Sequence, residues 1–182
     1  MNETALWTRL GAPGHDACQL VRTGDGGLLS GSAVFAHESL PTCLHYSVLC
    51  DSGWRTIEGR VSGWSGPHAV TARITRAANG LWTMNGHSND SLTDCRDLDF
   101  GFTPATNVLQ LRRLALQIGE RADVPVAWFD LRGELQRLPQ TYERLSTNKY
   151  RYEAPTVGYK GELEVNAHGF VRSYPGLWQE VE

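Results

Sequence analysis

Two aspartates near the middle of the chain have the type and spacing of residues that could do acid–base chemistry. Asp97 and Asp99 alternate with apolar residues in the segment Asp97–Phe102, a pattern typical of a strand with one buried face. Residues two apart in a strand share a face, so the two carboxylates are expected about 6.5–7 Å apart along it. Carboxylates near this separation could act as general acid and general base on a glycosidic bond.

Two adjacent arginines, Arg112 and Arg113, provide a competing interpretation of these carboxylates. A buried charge requires a partner, and either guanidinium group could neutralise an aspartate of the same stretch. Catalytic carboxylates also need a raised pKa and an open cleft, which a sequence pattern does not reveal. We therefore favour structural ion pairs and assign no catalytic residue. An enzyme acting on a small glycosylated or phosphorylated substrate through Asp97 and Asp99 is the alternative.

The elements that must position these groups are a strand and a helix. Thr103-Pro104 ends the strand, because proline has no amide hydrogen and its fixed φ suits a turn or the start of a helix. Val108, Leu111 and Leu114 recur at helical spacing and predict a short helix from about Ala105 to Leu114. The sequence thus predicts a buried polar cluster at a junction between a strand and a helix.

Trp54 and Arg55 begin the segment Trp54–Trp64, which predicts a further strand with two mixed faces. A strand of this kind suits the wall of a wet cavity better than a dry core. The indole could form the floor under a sugar or an acyl chain, and arginines could bind a phosphate or carboxylate head group. Packing in the core is the equal alternative for Trp54 and the favoured interpretation for Trp82 and Trp128.

The rest of the chain predicts a mainly β fold arranged as a meander, because short strands with regular turn signals recur throughout. These strands are predicted at residues 5–10, 18–23, 28–36, 44–50, 70–75, 81–84, 123–131, 135–145, 150–152, 159–165, 170–174 and 177–181. We predict one domain over residues 1–182. A likeness between Ala77–Gly86 and Asn166–Gly176 could reflect two duplicated β halves, although shared turn chemistry explains it as well.

Composition and charge exclude several classes of function. The chain has 182 residues, of which 20% are charged and 41% hydrophobic, and its formal net charge of -3 predicts no nucleic-acid partner. No apolar run approaches the roughly 20 residues of a membrane-spanning helix. The first residues lack the basic and apolar regions of a signal peptide, so we expect a cytoplasmic protein. Nothing in the sequence predicts an oligomeric state.

Neither a metal site nor a cofactor site is predicted. The cysteines form no CxxC pair, and the six histidines are dispersed without a metal-binding motif. We expect the four cysteines to be small buried hydrophobes rather than disulfides; they are Cys18, Cys43, Cys50 and Cys95. The chain also lacks a glycine-rich phosphate loop and a GxSxG nucleophile motif.

A longer ordered pattern surrounds the two aspartates. Its central part is a Cys-x-Asp-x-Asp segment, then Thr-Pro-x-Thr-Asn, then Arg-Arg-Leu, and these are Cys95, Asp97, Asp99, Thr103, Pro104, Thr106, Asn107, Arg112, Arg113 and Leu114. Flanking pieces of the pattern occur on both sides of this central part. Those upstream are Tyr46, Asp51, Trp54-Arg55, Gly80 and Trp82, and those downstream are Tyr142, Tyr150–Glu153 and Tyr174–Leu177. This pattern resembles a bacterial family named "Putative glycolipid-binding" over nearly the whole chain. Gln110 and Leu111 replace a proline and an isoleucine of similar sequences, which favours a continuous helix.

The resemblance implies a curved antiparallel sheet, half-barrel or barrel-like, with one or two short helices around an apolar cavity. It also implies a binding protein, rather than an enzyme, for an amphipathic ligand such as a lipid or glycolipid. The residues expected to contact that ligand are Trp54, Arg55, Asp97, Asp99, Asn107, Arg112, Arg113 and Tyr142. A non-catalytic interaction module, with a cavity filled by its own side chains, is the remaining alternative.

Overall fold

The computed structural model describes residues 2–181, which fold into fifteen strands and one α-helix. The strands are β1 (Asn2–Arg9), β2 (Gly14–Thr23), β3 (Gly26–His37), β4 (Leu40–Asp51), β5 (Thr56–Ser65), β6 (His68–Arg76), β7 (Trp82–Met84), β8 (His87–Asn89), β9 (Leu98–Phe100), β10 (Arg121–Phe129), β11 (Leu135–Arg144), β12 (Lys149–Ala154), β13 (Tyr159–Val165), β14 (Val171–Tyr174) and β15 (Trp178–Glu180). The helix, α1, spans Asn107–Leu114, and short 3-10 helices span Asp90–Leu92 and Pro155–Val157.

The strands of this described region form one sheet. Strands β1 to β8 are successive antiparallel neighbours on one side of β1, and β15 to β10 are successive antiparallel neighbours on the other. The pairing of β1 with β15, in which Arg9 lies opposite Trp178, joins the two series. Strand β9 runs parallel to β10 at the far end, because the chain crosses the molecule between β8 and β9.

The sheet is curved and open rather than closed into a barrel. Strand β8, at one end of the sheet, approaches β11, near the other end, where the side-chain amide of Asn89 donates to the carbonyl of Leu135 at 3.0 Å. The buried side chains form two clusters, one of which contains Trp7 and Phe100 and the other Tyr142 and Leu163. The larger cluster draws residues from both series of strands, so both help to build one core.

Every second turn lies at the same end of the strands, because neighbouring strands run antiparallel. We call this set of turns the cavity edge; it consists of the turns at residues 10–13, 38–39, 66–67, 85–86, 130–134, 155–158 and 175–177. Four of these turns carry or adjoin an exposed apolar side chain, namely Leu10, Leu40, Val157 and Leu177.

The predicted mainly β fold with a curved antiparallel sheet is confirmed. The helix begins at Asn107, two residues later than predicted, because the Thr-Pro segment first forms a turn. In this turn the Thr103 amide donates to the Phe100 carbonyl, and the Ala105 amide donates to Oγ1 of Thr103 at 3.0 Å.

The prediction that a strand begins at Trp54 is wrong. Strand β5 begins at Thr56, and Trp54 occupies a turn with the left-handed backbone angle φ of 63°. Asp51 holds this turn, because its Oδ1 accepts from the amides of Gly53 and Arg55, each at 2.9 Å. A side-chain acceptor of this kind competes with strand pairing and stabilises a local turn instead.

Candidate functional site

The aspartates and arginines of the central stretch do lie at a junction between a strand and a helix, where Asp97 and Arg113 form an ion pair. The guanidinium group donates to both carboxylate oxygens, with Nε–Oδ1 at 2.8 Å and Nη2–Oδ2 at 2.7 Å. Asp97 is 1% exposed. Burial raises the pKa of Asp97, while Arg113 opposes that shift. The structural pairing predicted from the sequence is confirmed for these two residues.

Asp99 has a different environment, since its hydrogen-bond donors are neutral. Thr106 Oγ1 donates to Oδ1 at 2.6 Å, and the side-chain amide of Gln140 donates to Oδ2 at 2.7 Å. Burial raises the pKa of Asp99, and these two hydrogen bonds act against the rise. Arg112, the predicted partner of an aspartate here, instead forms an ion pair with Glu3 of β1.

A third buried carboxylate, Asp16 of β2, lies on the other side of the Thr-Pro turn. Tyr46 Oη donates to it at 3.0 Å, and the Thr103 hydroxyl also donates to it. Burial raises the pKa of Asp16 to about 7. Asp16 and Asp99 therefore hold Thr103 and Thr106, the two threonines of the segment that leads into α1.

A polar chain extends inward from the start of the helix. The Asn107 side-chain amide donates to Tyr142 Oη at 2.7 Å, and Tyr142 Oη donates to Gln110 Oε1 at 2.6 Å. Two atoms beside this chain, Gln110 Nε2 and Gln140 Oε1, are buried and lack a hydrogen-bond partner in the described part of the protein. Buried polar groups usually have partners, so Gln110 Nε2 can donate a hydrogen bond to water or a ligand, and Gln140 Oε1 can accept one.

A cavity of about 260 Å³ lies against this polar cluster. Its polar lining includes Asp99, Thr103 and Asn107, and its aromatic lining consists of Phe100, Trp128, Tyr152, Tyr159, Tyr174 and Trp178. Val157 and Leu177 complete the wall at the cavity edge. We call this space the aromatic cavity. The tyrosine rings pack against each other, with the centroids of Tyr159 and Tyr174 5.0 Å apart.

Trp54 lies in a separate cationic cluster. The guanidinium carbon of Arg112 lies 4.8 Å from the centroid of the Trp54 ring, and the guanidinium carbon of Arg22 lies 5.5 Å from it. Arg112 also donates to the His168 carbonyl at 2.8 Å, which ties α1 to the turn before β14. Gly27 permits the ring to approach, because a Cβ there would lie 2.6 Å from the indole. Cation–π packing of this kind stabilises the fold without a ligand.

The structure thus separates the eight residues predicted to contact a ligand. Asp99 and Asn107 line the aromatic cavity, and Tyr142 supports it through Asn107. The other five lie outside its lining; these are Trp54, Arg55, Asp97, Arg112 and Arg113. Arg55 sits on the Asp51 turn, where its side chain is half exposed and 3.9 Å from Asp51 Oδ2. Whether any of the eight binds a ligand stays a prediction.

Sequence reasoning missed most of the aromatic lining. Trp128 was expected in the core but is only partly buried and lines the cavity, whereas Trp82 is fully buried as expected. Tyr159 and Tyr174 come from strands distant in sequence from Asp99, so their contact depends on the sheet topology. A weak signal existed in Tyr150–Tyr152, Tyr159 and Tyr174, because tyrosines recur on neighbouring predicted strands.

Comparison with known proteins agrees with the central motif. Residues 4–180 match the family described as "Putative glycolipid-binding". The chain belongs to this family. A similar solved structure is the crystal structure of a DUF1089 family protein from Pseudomonas aeruginosa, with a TM-score of 0.82, 26% sequence identity and coverage of 92% of each chain. No curated protein matches the chain in sequence.

Other features of this "Putative glycolipid-binding" family member concern metals and membranes. Across residues 2–181, no group of three or more histidine, cysteine or acidic side chains is arranged to hold a metal ion. Cys18, Cys43, Cys50 and Cys95 are free thiols; Cys18, Cys50 and Cys95 are buried as expected, whereas Cys43 is partly exposed. No helix in the described region has the length and apolar character needed to cross a bilayer.

Proposed function

We propose that this protein binds an amphipathic ligand of the glycolipid class and that the aromatic cavity takes the sugar head group. The observation that carries the proposal is the joint lining of one cavity by aromatic rings and by the buried carboxylate of Asp99. Aromatic faces pack against the C–H groups of a sugar ring, while carboxylate and amide oxygens accept from its hydroxyls. The family description supports the same ligand class.

The volume of the aromatic cavity limits which part of the ligand it can hold. At about 260 Å³ it lies just below the roughly 300–1,000 Å³ of pockets that enclose drug-sized molecules. A single sugar ring suits this volume better than a complete glycolipid. Val157 and Leu177 at the entrance would then contact the first part of an apolar chain. A cytoplasmic location, expected from the sequence, remains part of the proposal.

Binding fits this geometry better than glycoside hydrolysis. A two-carboxylate mechanism requires an acid and a base that face the same substrate. Asp99 lines the aromatic cavity, but Asp97 is outside its lining and both of its oxygens accept from Arg113. We therefore place the ligand against Asp99, Asn107 and the aromatic rings, with no step of bond cleavage.

The proposal is tested by titrating the protein with octyl glycosides that differ in the sugar, below their critical micelle concentrations, in a calorimeter. We expect one sugar to bind best, and Asp99→Asn to weaken its binding about twofold to tenfold, because the amide has one acceptor oxygen fewer and a hydrogen bond contributes about 0.5–1.5 kcal/mol. Trp128→Phe should also weaken binding, because a smaller ring covers less of the sugar.

Matched variants control for changes in the protein as a whole. Asp123→Asn alters an exposed carboxylate on β10, and Trp64→Phe alters an exposed tryptophan on β5. Both should bind octyl glycosides as the unmodified protein does. Equal binding by the Asp99 and Trp128 variants, or no binding of any octyl glycoside, would reject the sugar site and favour an interaction module.

A further inference from the structure

A second cavity opens at the same edge of the sheet and is independent of the polar cluster around Asp99. It has a volume of about 380 Å³ and lies where the turns between β3 and β4, β5 and β6, and β7 and β8 face the end of β10. We call it the mouth cavity. We propose that it binds the unbranched acyl chain of an amphiphile, whose polar end leaves the cavity at its rim.

The floor of the mouth cavity is apolar. Ala72 and Phe129 belong to the larger core cluster, and Val70, Met84 and Leu131 pack against that cluster. The core therefore continues directly into the cavity wall, and a chain bound there would be in contact with close-packed hydrocarbon. Removal of methylene groups from water is the dominant favourable contribution to such binding.

The rim of the mouth cavity is polar and includes His37, Glu38, Ser65, His68 and Asn85. An apolar floor with a polar rim matches an acyl chain whose polar end leaves the cavity at the rim. Of the five non-glycine residues with left-handed φ in residues 2–181, Glu38, Ser39 and Asn85 occur in the two turns that flank this cavity. Strained backbone of this kind persists where the surrounding structure enforces it, and it often shapes ligand sites.

The aromatic cavity and the mouth cavity are both lined by residues of β10, and both open at the cavity edge. On β10, Trp128 lines the aromatic cavity and the next residue, Phe129, lines the mouth cavity. Both cavities open at the cavity edge, which carries the exposed side chains of Leu10, Leu40, Val157 and Leu177. An apolar chain thus meets apolar side chains before it enters. The inference rests on the proposed function in taking the ligand to be amphipathic, and it assigns the apolar part to a site of its own.

The experiment is a titration of the full chain with saturated fatty acids of increasing length, below their critical micelle concentrations, with stoichiometry from native mass spectrometry. We expect one bound molecule and an affinity that rises about fourfold for each added methylene, then levels off when the cavity is full. An affinity that does not depend on chain length would overturn the proposal.

Variants locate the chain. Val70→Trp fills the floor and should weaken fatty-acid binding at least tenfold, whereas Ser62→Trp adds the same ring on the exposed face of the neighbouring strand and should leave binding unchanged. Met84→Phe, which narrows the same floor, replaces Val70→Trp if that variant fails to fold by circular dichroism. Equal binding by the floor variants and Ser62→Trp would place the chain elsewhere and overturn the assignment.

The two proposals can fail separately. If the acyl chain binds in the mouth cavity, Trp128→Phe should leave fatty-acid affinity unchanged even if octyl glycosides do not bind. A loss of fatty-acid binding in Trp128→Phe, with normal binding in Val70→Trp, would move the chain to the aromatic cavity. Loss of octyl glycoside binding in the Asp99 variant alone bears only on the sugar site.

Discussion

At the residue scale, three buried aspartates near α1 differ in how the protein compensates their charge. Asp97 accepts hydrogen bonds from a guanidinium group, whereas Asp16 and Asp99 accept from hydroxyl and amide groups. A buried carboxylate with a cationic partner depends on that partner, because removal of either leaves an uncompensated charge. A buried carboxylate with neutral donors resists ionisation instead, which raises its pKa.

We expect Asp97→Asn to lower the free energy of unfolding by about 3–5 kcal/mol, because it leaves the guanidinium of Arg113 without its buried partner. Asp94→Asn is the matched control, since Asp94 and Arg137 also pair at 2.7 Å but with both side chains about half exposed. Asp94→Asn should lower the free energy of unfolding by at most about 1 kcal/mol. Urea denaturation measures both, and equal losses would contradict the argument from burial.

Asp16 should give the protein a characteristic dependence of stability on pH. Its pKa is about 7 in the folded protein and near the ordinary value of 3.8 in the unfolded chain, because burial disfavours the charged form. Between these two values the folded state keeps a proton that the unfolded state has released, so stability falls as pH rises from about 4 to 7. The stability that protonated Asp16 contributes is fully present below this pH window and is lost above it.

Asp16→Asn should therefore reduce this fall in stability, although Asp97 and Asp99 have raised pKa values and contribute in the same direction. The measurement is urea denaturation at a series of pH values across the window, for the variant and the unmodified protein. Asp123→Asn, at an exposed carboxylate, is the control and should leave the profile unchanged. A profile of Asp16→Asn that matches the unmodified protein would refute the assignment to Asp16.

At the scale of elements, α1 is short, and its position depends on side chains at both ends. Thr103 and Thr106 anchor its start to Asp16 and Asp99, and Arg112 and Arg113 anchor its last turn to Glu3 and Asp97. Adjacent residues on a helix diverge by about 100°, so the two arginines reach different partners. An isolated helix of this length is unstable in water, and these anchors together with packing hold it in place.

Ala115 caps the C-terminal end of α1; it has the left-handed angles φ 46° and ψ 37°, and its amide donates to the Leu111 carbonyl. Glycine is the usual residue in this position, because a Cβ disfavours the conformation. Ala115→Gly should raise the free energy of unfolding by about 0.5–1 kcal/mol. Thermal melting measures the change, and Ala78→Gly, at an exposed turn residue without left-handed φ, should not stabilise the protein.

At the scale of the whole molecule, the two series of strands are joined through β1 and β15 and through a shared core. The larger core cluster includes Leu44 from β4 as well as Phe129 and Trp178 from the other series. The smaller cluster, with Leu163, lies within the second series and beneath the end of α1. This arrangement predicts one cooperative unit rather than two halves that unfold independently.

Leu44→Ala and Leu163→Ala test that prediction, because each removes a fully buried side chain from a different cluster. Each should lower the free energy of unfolding by about 2–5 kcal/mol. Both should retain a single transition that coincides by tryptophan fluorescence and by far-UV circular dichroism. A second transition confined to Leu163→Ala would indicate that the β10–β15 half unfolds separately.

Local sequence patterns were sufficient to predict most of the strands, the helix and the central polar cluster. Alternating apolar residues predicted most strands, helical spacing predicted α1, and the need of a buried charge for a partner predicted an ion pair between Asp97 and an arginine of α1. These features depend on interactions between residues close in the chain or on a motif read as a unit. Trp54 was the local exception, because the Asp51 side chain stabilises a turn that the alternating pattern does not reveal.

The side chains that surround each cavity could not be predicted from local patterns, because they depend on the order of the strands in the sheet. Asp99, Trp128, Tyr159 and Trp178 come together because β1 pairs with β15 and the chain crosses the molecule before β9. Arg112 meets Glu3 for the same reason. Strand order and curvature arise from packing across the whole sheet, and periodicity within one segment carries no information about its neighbours in space. The aromatic cavity and the mouth cavity are therefore products of the topology.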